Sequence, residues 1–397
     1  MKSKNLIFLL FLFLNCQCLF SQFDYKKFHH DSFVADTHND VLLRMMEGEN
    51  LSIKTTKGHS DLIRFKDGGV DAQFFSVWVA PSFLNVNGVD ESFNRASAMI
   101  DSLNSLIKNN PDKIGLAKNY KDVLKLNKQN KLAALIGVEG GYPILDNIDF
   151  VDTLYSKGMR YMTLTWNLNT PWATSAREES RTDTVLQFKG LTEKGKQIVS
   201  RMNRLGIIVD VSHIGPQTLE DVLQISTKPV IASHSCVYNI TPAFRNLKDD
   251  QLKAIAKNSG VVFINFYAAF IDSTFHIKAD SISQFYKPSI DSIKNLKLHP
   301  DDESLAVETF LSPHYEPIRP ELSQLVDHFE YIIKLIGVDH VGIGSDFDGV
   351  TALPKEMDDV TFLPNLTREL FKRGYSKKDV KKILGENFLR VLKANSP

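Results

Sequence analysis

What most constrains the fold of this chain is a rhythm. Eight short apolar, β-branched runs recur along it: 33–38 (FVADTH), 70–79 (VDAQFFSVWV), 131–139 (KLAALIGVE), 159–166 (MRYMTLTW), 206–213 (GIIVDVSH), 229–235 (PVIASHS), 260–267 (GVVFINFY) and 340–346 (HVGIGSD). Each is bounded by turn residues and reads as a strand. Between most of them lie segments with apolar residues at three- and four-residue spacing, such as 90–110, 192–205 and 320–337, the period of an amphipathic helix. Near-continuous apolar strands belong to a parallel sheet covered on both faces. About eight such βα units are what a (β/α)₈ barrel needs to close. The expected fold is therefore α/β, a single TIM-type barrel, with a doubly wound open sheet as the alternative. A length of 397 residues admits one large domain as readily as two ordinary ones. Residues 268–339, between the last two runs, exceed a simple crossover and predict an insertion, either a lid or interface or a solvated helical excursion. The segment SKKDVKKILGENFLRVLKAN reads as a structural amphipathic helix beginning near Ser376.

The N-terminus has the layout of a secretory signal. Lys2 and Lys4 precede an apolar run from Leu6 to Leu14, too short for a typical membrane span, and Ser21 offers a small residue for cleavage. The expectation is a signal peptide over residues 1–21 and a single barrel domain over 22–397, exported to the periplasm or secreted. A lipid anchor through Cys16 or Cys18 is the lesser alternative, since Asn15 and Gln17 are poor residues to precede a lipidated cysteine. Of the three cysteines only Cys236 lies outside that segment, so no internal disulfide is expected. Lys plus Arg and Asp plus Glu balance at 47 each, with no long basic run, which gives no support to nucleic acid or an anionic membrane as a partner.

The chemistry stands at the ends of the runs. His38 and Asp40, spaced i and i+2, would point to the same side of a strand. Glu139 ends LIGVE, His213 ends VDVSH, His234 sits in IASHS and Asp346 closes GIGSD. On a parallel barrel all these ends meet on one face, so residues scattered over the chain would converge. Imidazole plus carboxylate suits zinc or a similar divalent ion. Three histidines, one aspartate and one glutamate suffice for two ions if one carboxylate bridges them, and such a pair can hold a hydroxide and polarise a carbonyl. Singly, each residue has a structural reading. A histidine at a strand end is commonly just hydrogen-bonded, EGGY (139–142) is a turn, and GSDFDGV (344–350) is a turn or a weak calcium loop. Taken together, the structural reading needs a separate cause at five of the eight strand ends.

An ordered set of motifs covering nearly the whole expected mature chain resembles the renal, or membrane, dipeptidases, metal-dependent hydrolases on (β/α)₈ barrels. It comprises DTHND (36–40), SDLIRFKDGGVDAQFFSVWV (60–79), GVEGG (137–141), GMRYMTLTWNLNTPWA (158–173), GIIVDVSH (206–213), SHS (233–235), RN (245–246) and GIGSDFDGV (342–350). The resemblance implies that His38 and Asp40 bind one metal, Glu139 bridges, and His213 and His234 bind the second. It makes Asp346 the proton shuttle to the leaving amine and Arg245 the clamp for the substrate's terminal carboxylate, a role that suits a planar guanidinium. It also implies two zinc ions, a small dipeptide substrate, tolerance of a D-residue at its C-terminal position, and a homodimer.

One position departs from the family pattern. Many members carry a histidine where this chain has Trp166, and that histidine contacts the substrate and the developing oxyanion. An indole donates one hydrogen bond and carries no positive charge. Asn167 or Asn169 could supply a donor, with a loop role as the alternative reading of each. Hence a second reading, a metallohydrolase of other amides, lactams or esters with its pocket altered at Trp166. A third is an exported binding protein that lost turnover; retention of Asp346 with all five ligands argues against it. The C-terminal VLKANSP carries no hydrophobic anchor signal.

Overall fold

The computed structural model describes residues 23–84, 89–298 and 300–396, so the expected signal peptide lies outside the described residues. Nine parallel strands form one sheet: β1 (Ala35–Asp36), β2 (Ala72–Trp78), β3 (Ile114–Leu116), β4 (Leu132–Glu139), β5 (Met159–Thr163), β6 (Ile208–Asp210), β7 (Ile231–Ala232), β8 (Val261–Ile264) and β9 (Val341–Ile343). The order runs β2-β1-β9-β8-β7-β6-β5-β4-β3, and β2 also pairs with β4 from Ala72↔Ala133 to Trp78↔Glu139. That pairing closes eight strands into a barrel and rules out the open sheet. The eight coincide with the eight predicted runs. β3 is extra: it pairs only with the start of β4, at Ile114↔Leu132 to Leu116↔Ala134, and a three-residue strand leaves no periodicity to read.

The strands are shorter than the runs, and this corrects one expectation. Glu139 alone ends a strand; His38, His213, His234 and Asp346 stand two or three residues beyond theirs, in the turns. His38 and Asp40 therefore do not share a strand face, because both lie past the end of β1.

Alternation along the strands builds two cores. Phe75 and Val77 of β2 face outward and pack with Met99, Ile100 and Leu103 of the helix Val89–Asn109. Ala72 and Phe74 face inward, where they meet Ala133, Leu135, Tyr161, Ile208 and Phe263. The N-terminal end of the barrel is sealed by Phe388, Val391 and Leu392 of the last helix, Asn387–Asn395. That terminal segment starts where expected, with Ser376 accepting from the Asp379 amide in a capping box. A π turn, Lys382–Glu386, then carries Gly385 so close to β1's approach that a Cβ there would lie 2.5 Å from the Phe33 carbonyl oxygen. The insertion is helical: Ala268–Ile271, Phe275–Phe285, Lys287–Lys294 and Pro300–Leu311. Phe275, Ile290, Leu311 and Tyr315 form its own small core, which reaches Ala352 in the loop after β9 and so sits on the C-terminal face.

Candidate metal centre

At that face the six residues singled out at the run ends come together. Glu139 is the hub. Its Oε1 lies 2.8 Å from His213 Nε2 and 3.4 Å from His234 Nε2, while Oε2 lies 3.3 Å from His38 Nε2. His38 Nε2 is also 3.4 Å from Asp40 Oδ2 and 3.8 Å from Asp346 Oδ1. Candidate ligand atoms of His38, Glu139 and His234, and of His38, Asp40 and Asp346, lie within 4.8 Å of one another. All six residues are buried.

Local geometry aims these groups inward. His213 and Asp346 have left-handed backbones, φ +65° and +63°, a conformation that costs non-glycine residues on the order of 1–3 kcal/mol and persists where neighbours hold it. The His213 carbonyl accepts from the Ala176 amide at 2.7 Å, and the Asp346 amide donates to the His38 carbonyl at 3.1 Å. Gly140, at φ +85°, turns the chain just past Glu139. A side chain at Gly349 would run into the carboxylates of Asp40 and Asp346, so glycine there leaves the cage open.

The protons on two of the histidines follow from their partners. Asn167 Oδ1, 3.2 Å from His213 Nδ1, can only accept. The Ser233 hydroxyl, 2.8 Å from His234 Nδ1, spends its hydrogen on Asp210 Oδ2 at 2.6 Å. Each Nδ1 thus carries the hydrogen, and each Nε2 turns a lone pair toward Glu139. The two Nε2 atoms are 2.9 Å apart, so two lone pairs and a carboxylate oxygen face one another with no proton between them. A cation fits that arrangement. His38 Nε2 and Asp40 Oδ1, both buried, have no hydrogen-bond partner among the described residues, which suits both atoms to a cation.

The electrostatics agree. Burial, with Arg245 nearby, pushes His213 down to about 3, and burial with His38 pushes His234 well below its ordinary value, so both stay neutral. Burial opposes charge on His38 too, but the carboxylates of Glu139 and Asp40 outweigh it and push it well above its ordinary value. Burial pushes Asp346 up to about 8; His38 opposes this, and Asp40 and Glu139 reinforce it. The cage attracts positive charge at its centre.

Arg245 is buried, donates from Nη2 to the His234 carbonyl at 3.2 Å, and leaves Nε without a partner among the described residues. Burial lowers it to about 10, still charged at neutral pH. Trp166 stands 6.1 Å from the His213 ring and meets Trp78 edge-on at 5.2 Å, the two forming one aromatic wall. Asn169 is structural, accepting from the Ser175 amide at 2.8 Å. So is Asp348, which accepts from the His59 amide at 2.7 Å and from Arg44 at 3.0 Å, so that this part of GSDFDGV is a turn anchor.

Several residues of the centre were not singled out in the sequence. Asn265 Nδ2 donates to Asp346 Oδ2 at 2.7 Å, Ser76 Oγ donates to Glu139 Oε2 at 3.3 Å, and Tyr161 Oη lies 2.7 Å from His38 Nδ1. Ser76 and Trp78 are legible in principle, since both share inward parity with Phe74 on β2. The others depend on barrel register, which one sequence does not supply.

A closed parallel barrel with a buried histidine–carboxylate cage over the C-terminal ends of its strands defines a metal-dependent hydrolase. This chain belongs to the membrane dipeptidase family, peptidase family M19, whose family model matches residues 24–396, and it is accordingly a metal-dependent dipeptidase. Among solved structures it is similar to a metallo peptidase from Rhodobacter sphaeroides liganded with a phosphinate mimic of the dipeptide L-Ala-D-Ala: 26% identity, TM-score 0.75, covering 92% of this chain and 99% of that one. It is also similar to the probable dipeptidase PvdM from Pseudomonas aeruginosa: 25% identity, TM-score 0.78, covering 94% and 97%. Among the described residues no helix is long and apolar enough to cross a membrane.

Proposed function

We propose that this protein hydrolyses the peptide bond of small dipeptides with two divalent ions, zinc, held by His38 and Asp40 on one side, His213 and His234 on the other, and Glu139 between. The observation that carries this reading is the posture of Glu139, one oxygen toward His213 and His234 and the other toward His38. When bound, such a pair of ions supplies Lewis-acid polarisation of the carbonyl and an activated water. The chain's own groups do the rest. Asp346, with Oδ2 held by Asn265, keeps Oδ1 toward the cage and delivers a proton to the departing amine. Arg245 has an unfilled donor for the substrate's terminal carboxylate, and Phe270, 5.7 Å beneath its guanidinium, holds the fork flat. Trp166 and Trp78 exclude water beside His213 and limit one side of the substrate.

The L-Ala-D-Ala mimic held by the Rhodobacter sphaeroides relative supports acceptance of a D-residue at the C-terminal position here. The test is release of free amino acids from a panel of L-Xaa-L-Xaa and L-Xaa-D-Xaa dipeptides, with zinc and with a chelator. Chelator-sensitive release is expected. No release by protein that holds two ions would overturn the dipeptide assignment in favour of other amides, lactams or esters, with Trp166 the first residue to change. Export, with residues 1–21 as the leader, and a homodimer belong to the same proposal; the N-terminal sequence of the exported protein and its mass in solution check them.

A further inference from the structure

Each of the three cage histidines leans on a different partner through Nδ1, and only one partner is ambivalent. Asn167 and Ser233 fix their histidines in one tautomer, as derived above. The partner of His38 is the phenol of Tyr161, at 2.7 Å, and a hydroxyl can donate or accept. If it donates, Nε2 of His38 bears the hydrogen and faces the carboxylates of Asp40 and Glu139. If it accepts, Nδ1 bears the hydrogen and Nε2 presents a lone pair to the same place. The phenol therefore holds the ring in one orientation both with and without a cation in the cage.

The barrel is built to keep the phenol there. Tyr161 and His38 are both fully buried. Gly137, the register partner of Tyr161 on β4, leaves the space its ring occupies, since a Cβ at 137 would collide with that ring. Phe74 packs against the ring from β2 at 4.6 Å between centroids. Thus the glycine of LIGVE, two residues before Glu139, makes room for the group that orients His38.

We infer that Tyr161 is the positioning residue for His38, holding through its hydroxyl the ring orientation that offers Nε2 to a metal ion. This rests on the reading of His38 as a ligand. The test is zinc titration of the metal-stripped full chain by calorimetry, comparing wild type with Tyr161→Phe, which keeps the ring and removes the hydroxyl. Wild type is expected to take up two ions. Tyr161→Phe weakens one binding step by about 10–100-fold and leaves the other within about threefold. In a His38→Gln background, Tyr161→Phe then changes the remaining step by less than about twofold. Both steps within about threefold of wild type would overturn the role, as would equal weakening in both backgrounds, which would mark general structural damage. A wild-type chain that takes up no zinc would refute the ligand reading itself, and this inference with it.

Discussion

The two ends of the barrel are built on opposite terms. At the N-terminal end Phe74, Phe263, Phe388, Val391 and Leu392 close the interior with apolar side chains alone. At the C-terminal end, only a few residues along the same strands, the interior turns into three histidines and three carboxylates, with left-handed backbones at His213 and Asp346 and buried polar atoms left without partners. Close packing at the floor is stabilising. Gathering like charges and strained backbone at the mouth costs stability, and only a bound cation and substrate give that arrangement a purpose. Mutations should therefore separate cleanly: those at the mouth abolish turnover while the fold survives, and those at the floor weaken the fold while the site survives.

The largest effect is expected from His38→Ala or His213→Ala, each of which should remove one of the two ions and all measurable turnover; metal analysis beside a dipeptide assay checks both, and a variant that kept both ions and its rate would break the contrast. Asp346→Asn should keep both ions and lose about 10²–10⁴-fold in kcat, and full activity in that variant would take Asp346 out of the proton-transfer role. At the floor, Phe388→Ala should destabilise by about 3–5 kcal/mol in urea unfolding, with kcat/KM of the folded fraction unchanged. A fall in activity per folded molecule would show that the two ends are coupled.

A pH experiment sharpens the same contrast within the scaffold. His29 lies between Thr367 Oγ1 at 2.7 Å and the Gly68 carbonyl at 2.9 Å, and His328 lies between the Val237 amide and the Ile271 carbonyl, each at 3.1 Å. Both are neutral, and burial lowers each from 6.5 to about 4. Between those values these two sites bind more protons in the unfolded chain than in the folded one, so their contribution to stability should fall as pH drops from about 6.5 to 4 and level off below. The loss is on the order of 3 kcal/mol for each histidine. Urea midpoints of the metal-stripped chain across that range, compared with those of the His29→Gln, His328→Asn double variant, isolate it: the double variant should lose less stability by that amount, and parallel curves would take the effect away from these two. The smallest effect belongs to Trp166→His, which should alter the ratio of kcat/KM between dipeptide substrates by about tenfold. An unchanged profile would place the aromatic wall outside the substrate's reach.

Much of this was legible in the primary structure because barrel strands must be apolar on both faces and their number is written along the chain. The convergence of His38, Asp40, Glu139, His213, His234 and Asp346 followed from one rule, that parallel strands share a C-terminal face. Strand length is less legible: apolar runs continue into the turns, so four of these residues look like strand ends in the sequence and lie in the loops just past them. The partners of the cage were not legible. Tyr161 reaches His38 across Gly137, Asn265 reaches Asp346 across 81 residues, and Ser233 ties His234 to Asp210.

The sequence by itself determined the eight-unit alternation, the chemical identity of the metal-seeking side chains and the side of the barrel on which they lie, because those depend on local periodicity and chain direction. Tertiary structure alone decided which oxygen of Glu139 faces which histidine, which nitrogen of His213 and His234 carries the hydrogen, and that Trp78 joins Trp166. Those depend on contacts between distant segments, the closure of β2 onto β4 among them, whose register no local pattern encodes.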